Sequence, residues 1–113
     1  MQVDVTFRNI APSEALRTYA RDKIGRIKRY LPKTMDAHVT LTLDGFRNVA
    51  ESSLRGPGAT LTAKESSTAD MYAAIDLLSD KLAKQARRHN DKGRARRNAR
   101  PEPVQEPDEG DAP

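Results

Sequence analysis

Apolar and polar residues alternate strictly in the opening segment QVDVTFR, with Val3, Val5 and Phe7 on one face. Successive side chains of a strand point to opposite faces, so this period of two predicts a strand with one buried face. Three further segments alternate in a similar way, the second of them weakly: AHVTLTLD, VAESSLR and ATLTAKE. The turn sequences DGFRN and GPG separate these three, which predicts an antiparallel meander.

Two other segments repeat their apolar residues every three or four positions, the period of an amphipathic helix. The first helix is expected to start at Pro12 and Ser13 and to run until Pro32, with Gly25 as a tolerated interruption that costs about 1 kcal/mol relative to alanine. The second is expected to start after Ser67 or Thr68, either of which can serve as the N-cap. The apolar positions are Leu16, Ala20, Ile24, Ile27 and Leu31 in the first helix, and Met71, Ile75, Leu78 and Leu82 in the second.

The predicted order of elements is therefore β-α-β-β-β-α. Strands with one apolar face, covered by helices with one apolar stripe, form a two-layer α+β sandwich. We expect a four-stranded sheet with both helices on one face, in which the first helix returns the chain so that the second strand runs parallel to the first. This arrangement resembles a double-stranded RNA-binding domain with an extra first strand.

The end of the chain differs in composition from the rest. Beyond Lys92 no apolar residue is larger than Val104, and such a segment cannot offset its ordering entropy by burial. We expect an α+β domain over residues 1–92 and a disordered tail over 93–113, basic first and then acidic. Five of the sixteen acids follow residue 101, so residues 1–100 carry a net charge of +9, against +4 for the whole chain.

Several kinds of chemistry lack the residues they require. The chain has no cysteine, and His38 and His89 have no companion ligands, so we expect neither a metal nor a cofactor. No serine lies in a nucleophile motif, no glycine-rich phosphate loop occurs, and Asp76 and Asp80 are expected to lie in solvent. We therefore expect no enzyme and no small-molecule substrate. The chain also lacks a signal peptide and a long apolar run, which favours a cytoplasmic protein that does not enter membranes.

Positive charge is concentrated in the second helix and beyond it. Residues 81–100 hold nine Lys or Arg and one acid, and Lys81, Lys84 and Arg88 recur at helical spacing beside the apolar stripe. The helix dipole favours cations only in the last turn. The remaining charge indicates either a solvated face or a surface for a polyanion. If both helices cover one sheet face, their basic flanks can meet across the groove between them and bind phosphates.

Three strings carry a resemblance to a known family: DMYAAIDLLSDKLAKQARRHNDK, SEALRTYARDKIGRIKRYL and MQVDVTFRNI. Together they resemble the ribosome hibernation-promoting factor and protein Y family of translation inhibitors over residues 1–92. The resemblance implies a non-enzymatic protein that binds the 30S subunit and the 70S ribosome in stationary phase or stress. It would occupy the channel between head and body and block messenger RNA and the A-site and P-site tRNAs.

The resemblance also implies which residues contact 16S rRNA phosphates. They are Lys23, Arg26, Lys81, Lys84, Arg88 and Lys92, with Arg17 and Arg87 as weaker candidates. We expect this protein to do without the C-terminal dimerisation domain that the resemblance implies for the long members, and therefore to be a monomer off the ribosome. The string KGRARRN resembles the start of the protein Y tail, and whether this tail blocks ribosome dimerisation stays open. The alternative function is a transcription-side module that modulates a sigma factor, with incidental basic stripes.

Overall fold

The structure, a computed structural model, describes residues 1–31, 35–56 and 59–97, and for residues 59 and 91–97 it describes the backbone alone. Its elements are β1 (Gln2–Arg8), α1 (Glu14–Gly25), a 3₁₀ helix (Arg26–Tyr30), β2 (Asp36–Asp44), β3 (Arg47–Gly56), β4 (Ala59–Ser67) and α2 (Met71–Arg97). This confirms the predicted α+β class and the β-α-β-β-β-α order. Since α2 continues past residue 92, the first residues of the expected tail are helical, and residues 98–113 lie outside the described residues.

The sheet has the strand order β1-β2-β3-β4. As predicted, β1 pairs parallel with β2, and β2, β3 and β4 form an antiparallel meander. Asp44 is opposite Arg47, so only Gly45 and Phe46 form the turn between β2 and β3. Gly45 has a φ of 67°, the left-handed conformation that the sequence DGFRN predicts there.

The first helix is not continuous to Pro32, which corrects the prediction. Ser13 caps α1 as expected, since its hydroxyl accepts a hydrogen bond from the Leu16 amide at 3.2 Å. The α-helix ends at Gly25, and the chain continues as a 3₁₀ helix. Glycine disfavours the α-helix by about 1 kcal/mol relative to alanine. The three-residue step from Ile24 to Ile27 fits the tighter 3₁₀ winding, so both side chains stay buried.

The N-cap of α2 is also corrected. The Asp70 carboxylate accepts a hydrogen bond from the Ala73 amide at 2.8 Å, so Asp70 is the cap rather than Ser67 or Thr68. The Ser67 hydroxyl instead accepts from the Ala69 amide at 3.0 Å and shapes the turn before the helix. A carboxylate at this position satisfies an amide that has no helical partner and also lies favourably in the helix dipole.

One hydrophobic core lies between the sheet and the two helices, which both cover the same face. All nine apolar helix positions predicted from the sequence are buried there: Leu16, Ala20, Ile24, Ile27, Leu31, Met71, Ile75, Leu78 and Leu82. The opposite sheet face is polar, with charges of both signs such as Asp4, Arg55 and Lys64. Across the described strands this open face presents no aromatic ring.

Candidate nucleic-acid interface

Two arginines of α1 cover the free edge of β1. The Arg17 guanidinium donates a hydrogen bond to the Val5 carbonyl at 3.2 Å, and the Arg21 guanidinium donates to the Val3 carbonyl at 3.4 Å. Arg17 also forms a 3.4 Å ion pair with Glu14, and its side chain is only 25% exposed. An open strand edge presents unpaired carbonyls that can recruit other chains. The side chain of Arg17, a weaker candidate from the sequence, is therefore already engaged in contacts within the protein.

Lys23 lies between the two helices in an interhelical cluster with Asp76, Tyr19 and Tyr72. The Lys23 ammonium is 3.3 Å from Asp76 Oδ1, and the Tyr19 hydroxyl donates to the same oxygen at 2.6 Å. The rings of Tyr19 and Tyr72 meet edge to face with centroids 4.9 Å apart. The hydrogen bond to Asp76, with a smaller effect of desolvation, raises the pKa of Tyr19, because it stabilises the neutral phenol.

This cluster corrects two expectations. Asp76 does not lie freely in solvent beside Asp80, because it joins α1 to α2. The expectation that two basic flanks meet across the groove fails at Lys23, because Lys23 there is paired with a carboxylate. The sequence contains a clue to this pairing, since Asp76 lies one turn beyond Tyr72 on the flank of α2 that borders the apolar stripe.

Lys81, Lys84 and Arg88 do share one flank of α2, as their spacing predicts. They line a shallow groove of about 400 Å³ beside β4, and Leu77, 44% exposed, contributes an apolar patch to it. The Gln85 side chain donates a 3.0 Å hydrogen bond to a carbonyl of β4 and fastens this flank to the sheet. Lys84 and Arg88 are exposed on the outer surface. These three cations thus lie on the surface of the protein and not in its core.

The remaining predicted cations lie apart from this flank or are already paired. Lys81 forms a 3.3 Å ion pair with Glu65 of β4. Arg26 is exposed beside the N-terminal end of β1, near Lys28. Lys92 belongs to α2, but its side chain lies outside the described residues. Of the five predicted residues whose side chains the structure describes, Lys23 and Arg26 therefore lie apart from the other three.

Arg29, Tyr30 and Arg87 connect these separate positions. The guanidinium carbons of Arg29 and Arg87 lie 5.6 Å and 5.7 Å from the centroid of the Tyr30 ring. In a 3₁₀ helix residues three apart are eclipsed, so Arg26 and Arg29 share a face. On α2, Arg87 is a helical neighbour of Lys84. Sequence reasoning missed Arg29 and ranked Arg87 low, because nothing in the pattern indicates that α2 contacts the 3₁₀ helix there.

These contacts define one basic band across the outer surface of the helical layer. It starts on the 3₁₀ helix, crosses to α2 beside Tyr30, and follows the outer surface of α2 to the flank above β4. Cations from separate parts of the sequence supply it, and the chain needs the tertiary fold to align them. The band consists of Arg26, Arg29, Lys81, Lys84, Arg87 and Arg88.

The described part of the chain shows neither a metal site nor a helical membrane span. Among residues 1–31, 35–56 and 59–97, no group of three or more His, Asp or Glu side chains is placed to hold a metal ion. His38 is exposed, and its Nε2 is 3.2 Å from the Thr6 hydroxyl. Within those residues, no helix has the length and apolarity to cross a membrane.

Both the sequence and the fold of this chain match known proteins. The family model described as "Sigma 54 modulation protein / S30EA ribosomal protein" matches residues 3–94. The chain belongs to this family. Relatives of this chain from several bacteria are named ribosome hibernation promoting or promotion factor. The protein from Azotobacter vinelandii is 36% identical over 92 residues, with 81% of this chain and 85% of that protein covered.

A second relative, the ribosome hibernation promotion factor of Deinococcus radiodurans, is 39% identical over 110 residues. The match covers 92% of this chain but only 57% of that longer protein. Among solved structures, the N-terminal domain of Thermus thermophilus protein Y matches with a TM-score of 0.72 and 32% identity. That match covers 79% of this chain and 99% of the domain. A ribosomal subunit interface protein from Coxiella burnetii matches with a TM-score of 0.71, at 26% identity, over 80% of this chain and 99% of that one.

Proposed function

We propose that this protein is a hibernation factor that binds ribosomal RNA through the basic band and keeps the ribosome inactive. The observation that carries the proposal is the band itself, in which six cations from two parts of the chain, the 3₁₀ helix and α2, lie on one outer surface. The names of the relatives support the ribosome as the partner. The similar protein from Coxiella burnetii, a ribosomal subunit interface protein by name, supports a position between the ribosomal subunits.

The chemistry of the band suits phosphate rather than base sequence. Lys and Arg neutralise phosphates whatever the sequence, and release of the condensed counterions drives binding. Lys81 has a partner in Glu65, but such half-exposed ion pairs are worth only about 0–1 kcal/mol. A phosphate that several neighbouring cations hold can therefore replace Glu65. Lys23 is the weakest of the proposed contacts, because its side chain is 28% exposed and already serves Asp76.

In finer detail, the protein occupies the channel between the head and body of the small subunit. It contacts 16S rRNA phosphates there and excludes messenger RNA and the A-site and P-site tRNAs. The proposed contacts are Arg26, Lys81, Lys84 and Arg88, with Lys23 and Lys92 at the margins. Inhibition then follows from occupancy alone, with no catalytic step, on 30S and 70S particles in the cytoplasm of cells in stationary phase or stress.

The C-terminal residues 93–113 extend this proposal. Residues 93–113 carry four further basic residues and then five acids. We propose that the basic part adds phosphate contacts next to the band, whereas the acidic part is repelled by RNA and points away from it. The family description also names sigma 54 modulation, which favours one second candidate, a protein-binding role in transcription. That role would use the mixed-charge open face of the sheet.

Two measurements test the proposal and separate it from the alternative. In gradient sedimentation of a lysate, the protein should migrate with 30S and 70S particles and leave them at high salt. Migration with RNA polymerase instead would favour the transcription role. In cell-free translation, inhibition should reach completion near one protein per ribosome, because each channel holds one copy. Strong inhibition at a small fraction of that ratio would indicate catalysis and contradict occlusion.

A further inference from the structure

Tyr30 and its two arginines form a cluster that phosphate binding alone does not use. The Tyr30 ring is partly buried and packs against the core, so its position is set by the fold. Arg29 and Arg87 are exposed, and each guanidinium lies within 6 Å of the ring centroid. A rigid aromatic ring thus lies next to two planar cations on the outer surface.

The charge of this cluster is not balanced by the described part of the protein. Among the described residues, neither Arg29 nor Arg87 forms an ion pair. A cation beside an aromatic ring gains only about 0.5–1 kcal/mol at an exposed site. Two guanidinium groups drawn to one ring also repel each other, so an anionic ligand would relieve the repulsion. The cluster is therefore suited to a ligand that combines negative charge with a flat aromatic surface.

An unpaired nucleotide of folded RNA has these two properties. Bases that leave the helical stack are held on aromatic rings or on guanidinium planes, and arginine can bind the adjoining phosphate with two parallel hydrogen bonds. A paired base in an A-form helix cannot reach such a cluster, because both of its faces are already stacked. The cluster is thus suited to bulges, loops and single strands rather than to duplexes.

We infer that Arg29, Tyr30 and Arg87 form a stacking site for one unpaired nucleobase, with Lys84 placed to bind a neighbouring phosphate. This inference rests on the proposed RNA binding and adds to it a preference for RNA with an exposed base. Tyr72, the exposed tyrosine of the helical layer, differs because its ring packs on Tyr19 beside the carboxylate of Asp76. Among the described residues no guanidinium lies beside the Tyr72 ring, so Tyr72 serves as a matched control.

The test compares a short oligoadenylate with an abasic strand that has the same number of phosphates. The wild-type protein should bind the oligoadenylate tighter by about fivefold or more, the factor expected for one stacked base. Tyr30→Leu, which removes the ring but keeps an apolar side chain, should bring this ratio close to one. Tyr30→Phe and the control Tyr72→Leu should keep the wild-type ratio.

A second variant keeps the test decisive if Tyr30→Leu fails to fold. Arg87→Lys keeps the charge at an exposed position but removes the planar group. It should lower the ratio of the two affinities and leave the salt dependence unchanged, whereas Arg55→Lys on the open sheet face should change neither. With 2-aminopurine in the oligonucleotide, the wild type should quench its fluorescence and Tyr30→Leu should not.

The results separate this inference from the proposed function. The stacking site would be overturned if the wild-type protein bound the oligoadenylate and the abasic strand equally well. It would also be overturned if folded Tyr30→Leu and Arg87→Lys both kept the ratio of the wild type. Either result would count even if the protein sediments with ribosomes. Loss of the ratio in Tyr30→Leu and Arg87→Lys, with the controls intact, supports it. A protein that stacks bases but never sediments with ribosomes would retain the stacking site and refute the proposed function.

Discussion

The two flanks of α2 carry charge for different purposes. On the flank that faces α1, Asp76 accepts the Tyr19 hydroxyl and pairs with Lys23, so the charges there hold the two helices together. On the outer surface and the opposite flank, Lys84 and Arg88 are exposed and belong to the basic band. A cation count along the sequence treats Lys23 and Lys84 alike. The comparison teaches that cations of the same helical layer can serve different purposes, since Lys23 joins two helices whereas Lys84 lies on the outer surface.

Charge reversal on the band should have the largest effect. Lys84→Glu combined with Arg88→Glu should weaken ribosome association by well over about tenfold, because charge-assisted phosphate contacts are lost and repulsion is added. Arg47→Glu combined with Arg55→Glu is the matched control, since it reverses the same number of charges on the open sheet face. The measurement is pelleting with ribosomes, with circular dichroism to confirm folding. Equal pelleting of both double variants would mean that the band is only a solvated surface.

Removal of residues 93–113 should have the next largest effect. It deletes four basic residues, three of them at the end of α2, and each lost phosphate contact should reduce the log–log salt slope of binding by about 0.7–0.9. The truncated protein should still bind ribosomes, because the band remains. Its affinity is measured at several salt concentrations beside the full chain. Superimposable salt slopes would show that these residues do not touch RNA.

Asp76→Asn should show that the two flanks of α2 have different roles, one in stability and one in binding. The amide can still accept the Tyr19 hydroxyl, but it no longer neutralises Lys23. We expect a lower melting temperature and ribosome binding that is unchanged or slightly tighter, with a salt slope larger by at most about one contact, 0.7–0.9. The control is Asp80→Asn, which lies on the outer surface of α2 and should leave the melting temperature unchanged. A marked loss of ribosome binding in folded Asp76→Asn would mean that the cluster is part of the interface.

The smallest effect should be a dependence of stability on alkaline pH. Since the pKa of Tyr19 is raised in the folded protein, its neutral form stabilises the fold fully at pH values below the usual tyrosine pKa. This contribution is lost as the pH rises through the raised pKa, where the phenolate can no longer donate to Asp76. Tyr19→Phe should remove this component from the pH dependence of the melting temperature. An identical alkaline profile in that variant would show that the hydrogen bond is unimportant.

The strands and helices follow from local patterns, and the structure confirms them for that reason. Alternation in QVDVTFR and AHVTLTLD marks one apolar face, and all the apolar helix positions that the spacing identifies are buried. Short-range details were less predictable. Whether the helix ends at Gly25 or continues, and whether Asp70 or an earlier residue caps α2, depends on small energy differences between neighbouring residues. The hydrophobic pattern is the same in each case and cannot decide.

The sequence by itself determined the order of elements, the buried faces and the cationic stripe of α2, because each depends on residues within a few positions of one another. Only the tertiary structure decided which cations remain for a ligand. Tyr30 and Arg87 meet across a separation of more than fifty residues, as do Lys23 and Asp76. The first contact adds an aromatic ring to the basic band, and the second removes a cation from the candidate site. Both depend on how α1, the 3₁₀ helix and α2 pack on the sheet, because electrostatic contacts act over a few ångströms in space whatever the distance along the chain.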